Sequence, residues 1–252
     1  MSDQKQFYVG CAGWTLPAAV QRHFPIEGTH LQRYAGRFTA VEINSSFYRP
    51  HRPATYARWA ESVPDDFRFS VKVPKAVTHT ARLENVESLL ETFISECSHL
   101  GDKLGCLLIQ LPPSLAWDPR RDTAFFKALR ELTDVPASCE PRHASWFTEN
   151  VSSVLQDYRV AGVIADPHPH PNSAVLPGLR SLVYYRLHGS PHMYYSSYEP
   201  DFLANLAQQF LQHADAGREV WCIFDNTAAG HAASNALDLL TFLEQRASPV
   251  VP

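Results

Sequence analysis

Eight short apolar segments recur along the sequence, and each has the length and composition of a buried β-strand. Most are runs of about five to eight residues rich in Val, Ile, Leu, Tyr or Phe, as expected for strands covered on both faces. In chain order the segments are FYVGCAG from Phe7, TAVEIN from Thr39, RFSVKVP from Arg68, LGCLLIQL from Leu104, ASCEPR from Ala137, AGVIAD from Ala161, VYYRLHG from Val183 and EVWCIFDN from Glu219.

Helical periodicity separates several of these strands. The clearest pattern begins at Leu83, where apolar residues recur at intervals of three and four as far as Leu100, and Gly101 follows as a C-cap. Two more apolar stripes begin at Phe202 and Ala233. The proline-rich segment DPHPHPNSAVLPG after the sixth strand predicts a loop. Weaker patterns predict helices over 31–37, 55–63, 123–132 and 146–158.

The alternation of strand and helix, repeated about eight times, predicts a single (β/α)8 TIM barrel of the α/β class. A doubly wound open sheet is the alternative, but it normally has roughly five to seven strands and a glycine-rich first turn. GCAGW after the first strand does not match GxGxxG. No repeat or linker divides the chain, so we expect one domain over residues 1–252.

Polar residues interrupt the strands close to their C-terminal ends. Side chains alternate between the two faces of a strand, so Glu42 and Asn44 lie opposite Val41 and Ile43. Because helices cover the outside of a barrel, we expect the polar face to point inward. The C-terminal strand ends of a barrel meet at one mouth, where barrel enzymes place their chemistry. The rival interpretation is a purely structural network of buried ion pairs.

Seven ordered motifs resemble the YecE-like proteins, a widespread family defined by a domain of unknown function. The resemblance implies a TIM barrel and supplies no established reaction; at the level of fold, the family has been compared with endonuclease IV and xylose isomerase. Many relatives have two asparagines where this chain has Asp225 and Asn226, so a carboxylate there is not expected throughout the family. The motifs are GCAGW, VEINSSFYRP, FSVKVPKAVTH, LLIQLPPS, CEPRHASWF, YRLHG and FDNTAAGHAASNA.

Composition narrows the classes of function. The net charge of −4 and pI near 6.3 give no overall basic field to attract nucleic acid or an anionic membrane. The N-terminus lacks the pattern of a signal peptide, and no apolar run reaches the ~18 residues of a membrane span. The five cysteines form no CxxC pair and are expected to be free thiols. We therefore expect a cytoplasmic protein that acts on a small-molecule or nucleic-acid-derived anionic ligand.

The balance of charges at the predicted mouth indicates chemistry without a metal or other cofactor. Three or four carboxylates face the three cations Lys72, Arg142 and Arg186, whereas a cluster of divalent metals needs more carboxylates and histidines. The candidate catalytic residues are Lys72, Glu140, Asp166 and His188. The candidate substrate-binding residues are Trp14, Glu42, Asn44, Tyr48, Gln110, Arg142, Arg186, Tyr198, Asp225 and Asn226.

These residues support several functional hypotheses. The leading one is a metal-independent hydrolase, lyase or isomerase acting on a phosphorylated, sugar-like or nucleic-acid-derived substrate. The alternatives are a non-catalytic protein that binds a ligand or nucleic acid in the same pocket, and a metal-dependent phosphodiesterase resembling endonuclease IV. GSPHMYYSSYEP, after the seventh strand, is long and polar enough to form a lid. Cys11 is a further candidate nucleophile, although no base is assured beside it.

Overall fold

One sheet of eight parallel strands forms the centre of the computed structural model, which describes residues 7–170 and 176–247. In the strand order β1-β8-β7-β6-β5-β4-β3-β2, strands β2 to β7 each pair with the next strand in sequence, and β8 pairs with β1. An isolated bridge between Ala12, after β1, and Glu42 on β2 brings the two ends of the sheet together. This nearly closed barrel confirms the predicted TIM-barrel fold. The strands are β1 Phe7–Cys11, β2 Ala40–Ile43, β3 Arg68–Lys72, β4 Leu104–Gln110, β5 Ala137–Glu140, β6 Val160–Asp166, β7 Leu182–Leu187 and β8 Glu219–Phe224.

Helices surround the strands, and the described ranges contain seven α-helices. Between β6 and β7 the described residues form no helix, in agreement with the loop predicted from the prolines. Residues 171–175 of that segment lie outside the described part. The helices are α1 His30–Ala35, α2 Pro53–Glu61, α3 Glu87–Cys97, α4 Pro119–Leu132, α5 Glu149–Asp157, α6 Pro200–Asp215 and α7 Ala232–Ala247.

The predicted start of the third helix at Leu83 was wrong. Arg82, Leu83 and Asn85 have positive φ angles of 55°, 68° and 53°, which are incompatible with a right-handed helix, so α3 begins at Glu87. Leu89, placed on the apolar stripe by its spacing, is 43% exposed. The apolar residues before Glu87 are therefore buried as part of the loop that precedes α3, not as part of a helical face.

Capping residues decide where α4 and α5 begin. The Asp118 side chain accepts hydrogen bonds from the backbone of Arg120 and Arg121, and Pro119 occupies the first turn. The helix therefore starts four residues before the predicted Thr123. In α5 the cap is Thr148, so the helix starts three residues after the predicted 146.

Alternation along the strands produces two apolar layers. Tyr8, Leu108 and Trp221 belong to a cluster inside the barrel, whereas Val41 and Ile43 belong to a larger cluster between the strands and the helices. The interior cluster takes up the space at the base of the barrel. The polar residues later in the strands are consequently confined to the mouth.

The seam between β1 and β2 is closed mainly by groups outside the regular strand ladder. A single bridge joins Ala12 to Glu42. The hydroxyl of Thr39 accepts a hydrogen bond from the Val9 amide at 3.0 Å and donates one to the Phe7 carbonyl at 2.8 Å. A side chain thus satisfies backbone groups that a strand neighbour would otherwise pair.

Tyr34 closes the same seam nearer the mouth. Its hydroxyl accepts from the Cys11 amide at 2.7 Å and donates to the Ala40 carbonyl at 2.9 Å. The two strands approach so closely that a Cβ at Gly10 would lie 1.8 Å from the Ala40 oxygen. Glycine is required at this position by the close approach of the two backbones.

Replacing Tyr34 with phenylalanine should destabilise the barrel, because it leaves the Cys11 amide and the Ala40 carbonyl buried without a partner. We expect the free energy of unfolding, measured by urea denaturation, to fall by about 1–3 kcal/mol. Tyr48→Phe is the matched control, since Tyr48 is 76% exposed. Equal stabilities for the two variants would contradict this account of the seam.

Candidate functional site

Arg186 on β7 lies at the centre of a buried ion cluster. The residue is 0% exposed, and its guanidinium donates to Glu42 through Nε at 2.9 Å and Nη2 at 2.7 Å. Nη1 donates to Glu140 at 2.8 Å, and Nη2 also lies 3.1 Å from an Asp225 oxygen. One side chain thereby joins carboxylates from β2 and β5 and the carboxylate that follows β8.

The charges of this cluster hold one another in the ionised state. Burial alone would raise the pKa of the Glu140 carboxyl, but Arg186, His188 and Arg142 outweigh that effect and hold it well below its ordinary value. The pKa of Asp225 is likewise lowered, since Arg186 and His188 outweigh its burial. Arg186 keeps its proton because the three carboxylates raise its pKa against the cost of burial.

His188 lies between two of these carboxylates. Its Nδ1 is 3.0 Å from an Asp225 oxygen and its Nε2 is 2.9 Å from a Glu140 oxygen. Burial would lower the pKa of the imidazole, but Glu140 and the two hydrogen bonds raise it above its ordinary value. The arrangement favours an imidazolium that donates both N–H groups. Tyr194 packs edge-on against the ring at 5.7 Å.

Arg142 and Gln110 contact Glu140 from the mouth. Arg142 Nη2 donates to one carboxylate oxygen at 2.6 Å, and Gln110 Nε2 donates to the other at 3.1 Å. Arg142 Nη2 also lies 3.2 Å from His188 Nε2. Within the described residues, the buried atoms Arg142 Nε and Asn44 Oδ1 have no hydrogen-bond partner. Asn226 Oδ1, after β8, is a further buried acceptor without a partner in that part of the chain.

Lys72 ends β3 and is the cation that the cluster does not pair. It is 5% exposed, and its Nζ lies over the Phe47 ring, 4.4 Å from the centroid. Among the described residues it makes no ion pair or hydrogen bond through Nζ. Burial, with a further contribution from Arg186, lowers the pKa of the amine, although the nearby carboxylates oppose this. A site with this environment favours a neutral amine more than water does.

Asp166 and Tyr198 lie together, outside the contacts of the Arg186 cluster. Asp166 follows Ile164 on the face of β6 opposite the inward-facing Ala165. Its carboxylate accepts from the Tyr198 hydroxyl at 2.9 Å, and that hydroxyl accepts from the Gly189 amide at 2.9 Å. The structure therefore places this candidate pair at the base of the loop that follows β7.

Asn226 also anchors that loop. Its Nδ2 donates to the Ser196 carbonyl and to the Asn235 side chain, both at 2.9 Å. Asn235 in turn accepts from the Tyr198 amide at 3.0 Å. The segment predicted as a lid is thus tied to β8 and α7 by buried amides.

The two predicted aromatic ligands occupy different surroundings. Trp14 is partly buried and packs edge-on against Trp59 at 5.1 Å. Tyr48 is exposed at the rim. Among the described residues, neither ring forms a hydrogen bond or ring contact with the Arg186 cluster, so their part in binding stays a prediction.

Two residues at the floor of the site were not among the candidate site residues chosen from the sequence. The Tyr184 hydroxyl donates to Ser70 Oγ at 2.8 Å and lies 3.3 Å from a Glu42 oxygen. Both residues share a strand face with candidates that had been selected, Arg186 and Lys72. The same alternation was therefore sufficient to find them.

The alternative chemistries find less support in this geometry. Burial raises the pKa of Cys11 to about 12, so its thiol stays protonated near neutral pH. Within residues 7–170 and 176–247, no three His, Cys, Asp or Glu side chains are arranged to hold a metal ion.

No described helix is both long and apolar enough to cross a bilayer.

The barrel and its mouth define a TIM-barrel protein with a buried ion cluster at the C-terminal strand ends. The chain belongs to the family described as Protein of unknown function DUF72, whose model matches residues 8–252. This confirms the predicted membership of the YecE-like family.

Curated relatives carry the family names. UPF0759 protein YecE of Escherichia coli is 30% identical over 168 residues, which cover 64% of this chain and 60% of YecE. The match therefore spans less than two thirds of that relative. UPF0759 protein YunF of Bacillus subtilis is 23% identical over an alignment of 277 residues that covers 97% of both chains.

Solved structures of the family share the fold. A DUF72 family protein of Enterococcus faecalis has a TM-score of 0.78 and 22% identity, covering 95% of this chain and 96% of its own. A second, from Thermotoga maritima, has a TM-score of 0.76 and 24% identity, covering 95% and 99%. At these identities the likeness concerns the barrel alone.

Removing the central cation alone should lower the free energy of unfolding at neutral pH more than removing the cation together with one of its carboxylates. Arg186→Met leaves three carboxylates without their shared partner, and we expect a loss of about 3–5 kcal/mol in the free energy of unfolding. The double variant Arg186→Met/Glu42→Gln should recover part of that loss in urea denaturation. A double variant less stable than Arg186→Met would contradict the assignment of the cluster.

The raised pKa of His188 predicts a specific pH dependence of stability. The imidazolium stabilises the fold fully below the unfolded pKa of about 6.5, and this contribution disappears as pH rises through the folded pKa. His188→Gln should therefore cost more in melting temperature at about pH 5.5 than at about pH 9. His30→Gln, at an exposed position, is the control. A larger cost at the higher pH would show that the neutral ring is the stabilising form.

Proposed function

We propose that this protein is a metal-independent enzyme, a hydrolase, lyase or isomerase, whose substrate is a phosphorylated, sugar-like or nucleic-acid-derived anion. The observation that carries the proposal is the imidazole of His188, held between two ionised carboxylates at the mouth of the barrel, with an unpaired lysine in the same site. An ion network that only stabilised the fold would have no need of a fourth, unpaired cation.

Substrate binding is assigned to groups that reach the mouth. Arg142 is 15% exposed in its side chain, and its unpaired Nε is suited to a phosphate or carboxylate oxygen. Asn44 Oδ1 is suited to accept a hydrogen bond from a substrate hydroxyl. Arg186 does not take part directly in this proposal, because four of its five N–H groups donate to three protein carboxylates.

Proton transfer is assigned to Asp225 and His188. Asp225 is 7% exposed and is the carboxylate of the cluster with the largest exposed fraction. His188 connects Asp225, through Nδ1, to Glu140, through Nε2. A proton that Asp225 takes up at the mouth can therefore be stabilised by the buried groups of the cluster. Glu140 and Arg186 are positioning residues in this proposal. Asp166 receives no catalytic role, because its carboxylate accepts a hydrogen bond from Tyr198, outside the Arg186 cluster.

The test is an unbiased search for turnover. The purified protein, with EDTA present, is incubated with a small-molecule extract of Escherichia coli, and the extract is followed by mass spectrometry. We expect one anionic compound to decrease as a product increases, at a rate reduced about 100-fold or more by Lys72→Met and by Glu140→Gln. Lys127→Met, at an exposed position, is the control that should retain full turnover.

Two results would overturn the proposal. Full turnover in both site variants would remove Lys72 and Glu140 from the chemistry, and with them the observation that carries the proposal. A compound retained by the protein on ultrafiltration but never converted, in the wild type, would identify a binding protein instead. Each variant is first checked for folding by its melting temperature, so that a loss of turnover reports on the site.

A further inference from the structure

The geometry of the mouth points to Lys72 as a covalent group: we propose that its Nζ forms an imine with the carbonyl carbon of an anionic aldehyde or ketone. This inference rests on the proposed function and narrows it, because imine chemistry would make the protein a lyase or an isomerase. Three independent features of the site support it: the lack of a partner for Nζ, the balance of the remaining charges, and the apolar cover over the amine.

Nζ of Lys72 is the charged end group of the site that forms neither a hydrogen bond nor an ion pair with the described residues. The other cations are committed, since Arg186 and Arg142 donate to carboxylates at 2.6–3.1 Å. Lys72, in the described part of the chain, makes neither a hydrogen bond nor an ion pair through Nζ. A buried ammonium without such contacts is costly, because desolvation disfavours the charged form.

The cluster is neutral without Lys72. Arg186, Arg142 and protonated His188 supply three positive charges, all within hydrogen-bonding distance of the carboxylates. Glu42, Glu140 and Asp225 supply three negative charges. Sequence reasoning had taken Lys72 as the third cation, but the structure gives that place to His188. No carboxylate therefore needs the lysine to be charged.

Phe47 supplies the apolar cover. Its ring lies 4.4 Å from Nζ at the centroid and is itself 8% exposed, so it shields one side of the amine from solvent. The ring face favours the ammonium form, as in a cation–π contact, and thus opposes part of the effect of desolvation. It also leaves no hydrogen-bond acceptor on that side. A free amine at this position has its lone pair available for an incoming carbonyl.

The covalent step balances without any other reagent. The neutral amine attacks the carbonyl carbon, a C–N bond forms, and the carbonyl oxygen leaves as water with the two amine hydrogens. The resulting imine, on taking up one proton, withdraws electrons from the bond adjacent to the former carbonyl carbon, so that a C–H or C–C bond there can break. Asp225 and His188 are placed to carry the protons, and water later releases the product and restores Lys72.

The anionic character of the substrate follows from Arg142. Its buried Nε lacks a hydrogen-bond partner among the described residues, so a carboxylate or phosphate on the substrate would satisfy it. A neutral carbonyl compound would leave that donor unpaired. We therefore expect the site to prefer a carbonyl compound that carries a negative charge.

Reductive trapping tests the proposal directly. The intact protein is treated with glyoxylate and sodium cyanoborohydride near pH 7, and the modified lysines are located by peptide mass spectrometry. We expect Lys72 to gain an N-carboxymethyl group at least about tenfold faster than the exposed Lys127, because burial lowers the pKa of the Lys72 amine and so favours its neutral, nucleophilic form. The comparison is made within one molecule, so it does not depend on a variant that folds.

Four controls sharpen the result. Protein unfolded in urea should label Lys72 and Lys127 at similar rates, since the advantage belongs to the fold. Glycolaldehyde, which lacks the carboxylate, should label Lys72 more slowly than glyoxylate, and Arg142→Met should reduce that difference. In Lys72→Arg, which keeps the charge but cannot form the imine, the fast modification should disappear.

The outcomes separate this inference from the proposed function. Lys72 labelled no faster than Lys127 would overturn the imine, and if Lys72→Met still abolished turnover in the cell extract, the enzyme would stand with a non-covalent lysine. Fast, fold-dependent labelling of Lys72 supports the imine. If the wild-type protein showed neither fast labelling of Lys72 nor turnover of any compound in the cell extract, both proposals would be overturned.

Discussion

The contact of Arg186 with three carboxylates is the interaction on which the rest of the structure depends. Its guanidinium, on β7, binds side chains from β2, from β5 and from the end of β8, so four separate parts of the sheet meet at one cation. Buried charges are tolerated only when they are paired, which fixes these side chains in position. The same contacts orient His188 and leave Lys72 without a partner.

Much of this arrangement was predictable from the period of two in a β-strand. Alternation placed Glu42, Glu140 and Arg186 inside the barrel because the backbone leaves no other choice once helices cover the outer face. The same rule explains the position of Asp166. Its strand directs Ala165 inward, and Asp166 therefore lies on the opposite face, beside Tyr198. A polar residue at a strand end thus indicates an inward-facing side chain less reliably than the alternation of faces along that strand does.

Other features depend on contacts that a sequence does not display. The apolar spacing from Leu83 onward resembles a helix, yet positive φ angles in that stretch postpone α3 to Glu87. Counting charges gave nearly equal numbers of anions and cations, but pairing is decided by distances between strands. Only the folded barrel distinguishes His188, which joins the carboxylates, from Lys72, which does not.

Glu42 links the circumference of the barrel to its electrostatic centre. Its backbone carbonyl accepts from the Gly13 amide at 2.9 Å across the seam, while its carboxylate binds Arg186. A breathing motion that parts the first two strands must therefore also draw a negative charge away from the buried guanidinium. The attraction between the Glu42 carboxylate and Arg186 thus resists separation of β1 from β2. A ligand that alters the charges of the cluster would change how readily these two strands separate.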